Sequence, residues 1–223
     1  MRCIQATRVS AMTAISREDT VELLTPPRLP DHTLTFEEYL AWEGENQAVE
    51  WVNGEVRIVP PASVQHEDLV AFLSLLLRMY VKKHDLGKVL GSRIAMKLEA
   101  QRRGREPDIL FLANERVHLL QKNYLDGPAD VAVEITSPES IGRDRGEKFV
   151  EYEAAGVKEY WLIDPDRQQA EFYCLGSDGR YHLMPLEAGG VFRSQTIAGF
   201  WLCIDWLWQL PDEMDVLRQL GVV

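Results

Sequence analysis

One five-residue segment, VAVEI at positions 131–135, limits the possible folds of this chain more than any other. The run is short, apolar and rich in β-branched residues, which is typical of a buried strand. Side chains alternate along a strand, so Val131, Val133 and Ile135 share one face and Glu134 lies on the other. A carboxylate on a nearly buried strand must be paired, protonated or bound to a metal ion.

The other segments predict a mixed α/β domain with helices on both sides of a sheet. Helical patterns cover residues 33–42, 66–83 and 143–155, and the last of these ends at Gly156. Asn53-Gly54 lies between two β-prone runs and is a strong hairpin signal. The remaining strand patterns are VLGSRIAMKLE, PDILFL, EYWLID, AEFYCL and YHLMPL, of which the last three predict a C-terminal β-meander. QRRGRE, between the first two, is expected to be a basic turn.

Chain length predicts one domain with tails. We expect a flexible N-terminal extension at 1–30, a single domain at 31–210 and a C-terminal tail at 211–223. No apolar run reaches the roughly 20 residues that a membrane helix needs. The N-terminus also lacks the apolar stretch of a signal peptide. These features predict a protein that does not enter a membrane.

Charge and cysteine content narrow the class of protein. The 35 acidic and 24 basic side chains give a net charge of −11, which argues against coating nucleic acid through bulk charge but allows a local basic cleft. The three cysteines are scattered and form no C-x-x-C pair, so neither a disulfide framework nor a cysteine zinc site is expected. This cysteine pattern favours a cytoplasmic location.

Two further acidic residues lie on predicted strands, where acids are normally depleted. Asp108 opens the PDILFL strand after Pro107, and Glu50 precedes the predicted hairpin turn. If these carboxylates meet Glu134, two unit charges about 4 Å apart repel by about 4 kcal/mol at an effective dielectric of 20. A cation offsets that repulsion, and carboxylates with water are the ligands that Mg²⁺ uses. The pattern therefore predicts a Mg²⁺ site formed by Asp108 and Glu134.

Basic and aromatic side chains complete the candidate site. Lys148 lies on the helix after the VAVEI strand, where it can orient an attacking water or stabilise charge on phosphate. Tyr152 is one turn further along the same helix face. We interpret Lys148 as a catalytic candidate. The possible substrate-binding residues are Tyr152 and the arginines of the predicted basic turn, Arg102, Arg103 and Arg105, which would contact phosphates.

Each of these residues also has a purely structural interpretation. Glu50 lies opposite Arg57 in a two-residue hairpin and can form a cross-strand ion pair. Lys148 is four residues after Asp144, the spacing of a helix-surface salt bridge. Equally, Asp108 can cap a turn, and Glu134 can pair with an arginine. Tyr152 can be a core residue, and the three arginines can form a solvated turn. His66 can be a polar residue in the first turn of a helix.

Several of these segments resemble a known family. Pro107-Asp108 followed by Glu134-Ile135-Thr136 looks like the PD-(D/E)XK nuclease arrangement. The stretch VAVEITSPESIGRDRGEKFVEYEAAGVKEYWLIDP resembles the Uma-type family of bacterial restriction endonucleases. LTFEEYLAW, VEWVNGEV, His66 and GFWLCIDWLW also match it, so the resemblance covers about residues 33–208.

The resemblance implies a restriction-endonuclease-like core, with a mixed central sheet flanked by helices, and hydrolysis of DNA phosphodiester bonds with Mg²⁺ or Mn²⁺. The implied metal ligands are Asp108, Glu134 and the Ile135 carbonyl, with Glu50 as an accessory acid. One position departs from the superfamily, whose lysine two residues after the second acid is Thr136 here. The family pattern points to Lys148 in its place.

Two other function classes fit the same sequence. Thr136 and the acidic net charge favour a non-catalytic nucleic-acid- or protein-binding module that retains the nuclease fold. Trp201, Trp206 and Trp208, in a segment that either closes the core or contacts a subunit, favour a structural oligomer. The leading expectation is a DNA endonuclease that acts as a homodimer.

Overall fold

The computed structural model describes residues 29–42, 49–91, 94–138 and 140–223, so nearly all of the expected N-terminal extension lies outside the described residues. The helices are α1 (Phe36–Ala41), α2 (Val64–Lys83), α3 (Ile141–Arg143), α4 (Phe149–Ala155), α5 (Asp205–Gln209) and α6 (Glu213–Gln219). The strands are β1 (Val49–Val52), β2 (Glu55–Ile58), β3 (Gly87–Gly91), β4 (Ala95–Leu98), β5 (Arg103–Arg105), β6 (Ile109–Ala113), β7 (Tyr124–Leu125), β8 (Val131–Ile135), β9 (Glu159–Asp164), β10 (Gln169–Leu175), β11 (Tyr181–Leu183), β12 (Val191–Arg193) and β13 (Trp201–Cys203).

A six-stranded mixed sheet forms the centre of the domain, in the order β11-β10-β9-β8-β6-β3. Strands β8 and β9 are parallel, and the other neighbours are antiparallel. Strands β9 to β11 form the C-terminal meander predicted from the sequence. The period-two prediction for the VAVEI strand is also confirmed, because Val131, Val133 and Ile135 enter one core cluster and Ala132 enters the other.

A smaller five-stranded sheet, β2-β1-β5-β4-β7, lies beside the central sheet. Its β1–β2 hairpin turns at Asn53-Gly54, where both residues have positive φ angles of 54° and 94°, as the sequence predicts. Helix α1 begins at a capping box between Thr35 and Glu38 and packs its apolar face on this sheet.

Helices flank the central sheet on both faces, as expected from the sequence. Helices α2 and α6 pack against each other and fill the larger core cluster on one face. On the other face of the central sheet, Tyr152 and Val157, at the end of α4, belong to the same apolar cluster as residues of β4. Within the described residues, the structure shows no helix with the length and apolar character that spanning a membrane requires.

Two local predictions between residues 89 and 106 are wrong. VLGSRIAMKLE forms two strands, β3 and β4, which belong to different sheets. QRRGRE is not simply a turn, because Arg103–Arg105 pairs with both β1 and β4. Gly104 allows this pairing, since a Cβ atom there would lie 2.8 Å from the Phe36 ring. The strand directs its arginines toward buried carboxylates rather than solvent.

The helix and the tail in the C-terminal half also differ from expectation. The helix predicted at 143–155 begins at Ile141, and a π-helical stretch (Asp144–Lys148) joins α3 to α4. We refer to residues 141–155 together as the lysine helix. Residues 211–223 are not a tail outside the domain, because Val216 and Leu217 of α6 are buried in the main core.

Candidate active site

A cleft of about 590 Å³ opens where the β1–β2 hairpin, the start of α2, the end of β8 and the lysine helix meet. The described chain thus brings the predicted catalytic and metal-binding residues, but not the predicted substrate-binding ones, to one place. The cleft is lined, among others, by Glu50, Asp108, Glu134, Ile135 and Lys148.

Lys148 is buried at the base of this cleft among three carboxylates. Its Nζ atom lies 2.8 Å from Glu134 Oε2, 3.2 Å from Glu50 Oε1 and 3.4 Å from Asp144 Oδ1. Burial opposes its charge, but these three acids raise the pKa of Lys148 above its ordinary range. The Asp144 pair has the predicted i,i+4 spacing, but both partners are buried rather than on the helix surface.

Glu134, the last residue but one of β8, projects into the same group. The Tyr152 hydroxyl donates a hydrogen bond of 2.7 Å to Oε1, and Lys148 contacts the other oxygen. Burial, with repulsion from Asp144 and Asp108, raises the pKa of Glu134 to about 8, although Lys148 acts in the opposite direction. A cation that reaches this carboxylate would favour its ionised form.

Asp108 lies directly before β6, next to the end of β8. Its Oδ2 atom accepts a hydrogen bond of 2.7 Å from the Ile135 N–H and lies 3.3 Å from His66 Nε2. These contacts link Asp108 to a neighbouring strand rather than to a turn of its own segment. Its side chain is 19% exposed, so this acid is accessible from the cleft.

Glu50 reaches the cleft from the smaller sheet. Burial opposes its ionisation, but Lys148, Arg105 and Arg143 together lower the pKa of Glu50 to about 2. Glu50 and Arg57 are cross-strand neighbours, as predicted. The Arg57 guanidinium, however, contacts Glu147 at 3.4 Å, and Glu50 instead accepts a hydrogen bond of 2.7 Å from Arg105.

The residues expected to bind substrate lie elsewhere or are already engaged. Arg105 is fully buried and binds Glu50, Glu147 and Glu151. Arg103 binds Glu151 and Asn53. Arg102 adopts a left-handed conformation beside β5, and none of the three arginines is among the described residues that line the cleft. The interpretation as a solvated basic turn is therefore wrong for Arg103 and Arg105, whereas Arg102 is exposed in a turn. Tyr152, also fully buried, contacts Glu134 instead of open space.

Sequence reasoning missed three residues that line the cleft, Arg143, Asp144 and His66, as parts of the site. Asp144 had a signal in its spacing from Lys148, but that spacing does not distinguish a buried pair from an exposed one. His66 had a signal only in its match to the family pattern. Arg143 had none, because a single arginine in a charged helix is ordinary.

The oxygen donors in the cleft fit a hard divalent cation. No group of three or more His, Cys, Asp or Glu side chains suited to a metal ion occurs among the described residues. Mg²⁺ needs only one or two carboxylates, with other oxygens and water completing its shell. Asp108, Glu134 and the Ile135 carbonyl group are such donors. Asp144 Oδ1 adds a buried carboxylate oxygen without a hydrogen-bond partner.

Comparison with known proteins agrees with this architecture. The family model named Uma2, described as "Putative restriction endonuclease", matches residues 36–205. The chain belongs to the Uma2 family. The matched region of this Uma2 protein contains Glu50, Asp108, Glu134 and Lys148, and it confirms the family resemblance. No curated protein matches the chain.

A solved structure shows the same fold as this Uma2 protein. It is described as a putative nuclease belonging to DUF820 from Anabaena variabilis, and it shares 19% sequence identity with this chain. The match covers 79% of this chain and 98% of that one, with a TM-score of 0.66. At this identity the likeness concerns the fold alone, and it confirms the expected mixed α/β architecture.

Proposed function

We propose that this Uma2 protein is an endonuclease that uses Mg²⁺ or Mn²⁺ to hydrolyse phosphodiester bonds in DNA. The observation that carries the proposal is the meeting of Glu50, Asp108, Glu134 and Lys148 in one cleft. A buried group of three acids around one lysine is weak evidence for stability, because desolvation offsets much of the attraction. The same group provides oxygen ligands and a fixed cation beside an open volume, which suits phosphoryl chemistry.

The metal-binding role falls to Asp108, Glu134 and the Ile135 carbonyl. A divalent ion held there would polarise the phosphodiester and offset the negative charge that develops on it. The Ile135 N–H holds one oxygen of Asp108, and Tyr152 and Lys148 hold the two oxygens of Glu134. These contacts orient both carboxylates before any ligand enters.

Lys148 acts on the reacting phosphate and water, and Glu50 positions Lys148. Lys148 keeps its proton in this acidic environment, so it donates hydrogen bonds to the attacking water or to the phosphate oxygens and does not act as a base. Glu50, ionised and bound by Arg105, holds the Lys148 ammonium together with Glu134. Lys148 thereby replaces the superfamily lysine whose position is Thr136 in this chain.

Two descriptions of related proteins support the choice of reaction. The family model is described as "Putative restriction endonuclease", and the Anabaena structure is described as a putative nuclease. DNA is therefore the proposed substrate. A homodimer remains a prediction, supported by the half-buried Trp201, Trp206 and Trp208 at the edge of the main core.

The proposal is tested with purified full-length protein and supercoiled plasmid DNA. We expect nicking or linearisation with Mg²⁺ or Mn²⁺ and none with excess chelator. Asp108→Ala should abolish cleavage, whereas Asp166→Ala, at an exposed position, should not. Cleavage that persists in chelator would contradict the mechanism. Neither metal binding nor turnover would instead favour the non-catalytic binding module, which Thr136 suggests.

A further inference from the structure

The charge of the cleft poses a problem for a nucleic-acid substrate. A nucleic-acid backbone carries a negative charge on every phosphate, and its binding depends on cationic groups that neutralise those charges. The described residues of the cleft contribute only two side chains with a permanent positive charge, Arg143 and Lys148. The acidic side chains that line it are Glu50, Glu67, Glu106, Asp108, Glu134 and Asp144.

Lys148 is not available to bind an incoming phosphate from solution. Its side chain is 3% exposed, and three carboxylates already surround its ammonium group. Lys148 can act on a phosphate that another group has placed next to it, but it cannot bind a phosphate directly from solvent. Apart from the divalent ion of the proposed function, Arg143 is therefore the one permanently cationic group among the described cleft residues that remains to capture the backbone.

Arg143 has the position and the unused hydrogen-bonding capacity for this task. Its side chain is 22% exposed and lines the cleft. Its nearest acidic contacts, from Nε, are 3.8 Å to Asp144 Oδ1 and 3.9 Å to Glu50 Oε2, and Nε is buried without a hydrogen-bond partner. The two carboxylates thus hold the charge in place without accepting from that donor. A guanidinium carries five N–H donors in a fork that matches phosphate.

Neighbouring arginines lack this capacity. Arg105 is fully buried among three glutamates, and Arg103 binds Glu151. Arg145, only two residues from Arg143, binds Glu171 at 2.5 Å. Each of these guanidinium groups donates hydrogen bonds to carboxylates, and none lines the described cleft.

We propose that Arg143 is the phosphate anchor of the cleft. Its guanidinium binds the two non-bridging oxygens of a backbone phosphate. This contact places the adjacent phosphodiester beside Lys148 and Asp108. The ligand class is a nucleic-acid phosphodiester, so the inference rests on the proposed function. Arg143 binds and positions the strand, and it takes no part in proton transfer.

Binding measurements test this role directly. The full-length protein is titrated into a fluorescent DNA duplex in Ca²⁺ at several salt concentrations, and anisotropy gives the dissociation constant. Arg143→Gln should weaken binding roughly tenfold or more. It should also lower the dependence of log K on log salt by about one unit, as expected when one phosphate contact is lost.

Two further variants act as controls. Arg145→Gln removes an equal charge two residues away and should bind like the wild type, because Arg145 pairs with Glu171 outside the cleft. Arg143→Lys keeps the charge but not the fork, so it should preserve the salt dependence and recover only part of the affinity. Arg143→Lys also tests the proposal if Arg143→Gln fails to fold. In Mg²⁺ the Arg143 variants should raise KM more than they lower kcat.

The outcomes separate this inference from the nuclease proposal. If wild-type protein binds DNA without cleaving it and Arg143→Gln weakens binding, the anchor is supported and the nuclease is not. If wild-type protein cleaves DNA and Arg143→Gln matches Arg145→Gln in affinity and salt dependence, the anchor is overturned and the nuclease stands. A wild-type protein that neither binds nor cleaves DNA would overturn both.

Discussion

The Tyr152 hydroxyl donates a 2.7 Å hydrogen bond to Oε1 of Glu134 inside the core. Lys148, one helical turn before Tyr152, lies 2.8 Å from the other oxygen of the same carboxylate. Two side chains from one helix therefore hold both oxygens of a strand residue. This contact fixes the direction in which Glu134 faces the cleft, independently of any ligand.

Replacing Tyr152 with Phe should weaken both folding and cation binding. The change leaves a buried carboxylate oxygen without its donor, which costs about 1.5–3 kcal/mol in the free energy of unfolding. Tyr181→Phe is the matched control, because that hydroxyl donates to the Val157 carbonyl away from the cleft. Urea unfolding measures stability, and calorimetric titration with Mn²⁺ measures affinity. An unchanged Mn²⁺ affinity in Tyr152→Phe would contradict the orienting role.

Lys148→Met should make the fold depend more strongly on divalent cations. Without the ammonium, Glu50, Glu134 and Asp144 lose the cation that all three contact, and two unit charges about 4 Å apart repel by about 4 kcal/mol at an effective dielectric of 20. We expect a lower melting temperature without metal and a larger rise on adding Mg²⁺ than in wild-type protein. Lys88→Met, at an exposed position of β3, should behave like wild type. Equal Mg²⁺ shifts in all three proteins would refute this expectation.

The raised pKa of Glu134 predicts a specific pH dependence of stability. The folded protein binds the proton more tightly than the unfolded chain, whose carboxyl has the ordinary pKa of 4.5. Between that value and about 8 the folded state holds more protons, so metal-free stability should fall as pH rises. Melting temperatures in chelator from pH 5 to 9 should show this fall, and Glu134→Gln should reduce it. Parallel profiles for the two proteins would argue against the raised pKa.

Glu159, a buried glutamate outside the cleft, should matter for stability but not for chemistry. Its carboxylate accepts hydrogen bonds from Trp161 Nε1, Ser194 Oγ and the N–H groups of Gln195 and Thr196, which links β9 to the segment between β12 and β13. Glu159→Gln places an amide donor against these donors and should cost about 2–4 kcal/mol.

The matched control for this change is Glu187→Gln. Glu187 forms an exposed ion pair with Arg193, so its loss should change the free energy of unfolding by less than about 1 kcal/mol. Chemical denaturation compares the two variants. At a temperature where both variants are folded, neither should lose metal-dependent cleavage. A loss of cleavage in Glu159→Gln alone would show that the hydrogen bonds of Glu159 also support the active-site cleft.

Helix α6 should contribute to the main core rather than behave as a tail. Leu217 is buried there, so Leu217→Ala should lower the free energy of unfolding by about 2–5 kcal/mol. Met214, on the same helix, is 47% exposed, and Met214→Ala should change it by less than about 0.5 kcal/mol. Urea denaturation measures the free energy of unfolding of both variants. If Leu217→Ala is as mild as Met214→Ala, α6 does not stabilise the domain.

Local features of the fold could be predicted because the sequence encodes them within a few residues. Alternation in the VAVEI strand gave the correct faces, and the Asn53-Gly54 turn was recognisable from short-range chemistry. The two strands within VLGSRIAMKLE could not be assigned to separate sheets. β4 pairs with β5, which follows it directly, but β3 pairs with β6, beyond both of those strands, and a pairing across intervening strands leaves no local pattern.

In the candidate site, too, some features could be predicted from the sequence and others depended on the folded arrangement. Acids on apolar strands identified Glu134 and Asp108 as unusual, and their common location in the cleft agrees with that expectation. The burial of Arg105 was not predictable, because a basic Gly-containing segment has the same composition in a solvated turn and in a paired strand. Likewise, only the folded arrangement distinguishes Arg143, with its unpartnered Nε, from Arg145.

The ammonium of Lys148 joins an acid of the smaller sheet, Glu50, to an acid of the central sheet, Glu134. A partial opening that moves the two sheets apart would dismantle this junction while leaving the packing of α2 and α6 intact. Inactivation by mild heat or dilute denaturant should then come before global unfolding. The temperature range of the proposed enzyme would be set by this contact between its sheets, and not by the packing of its largest core.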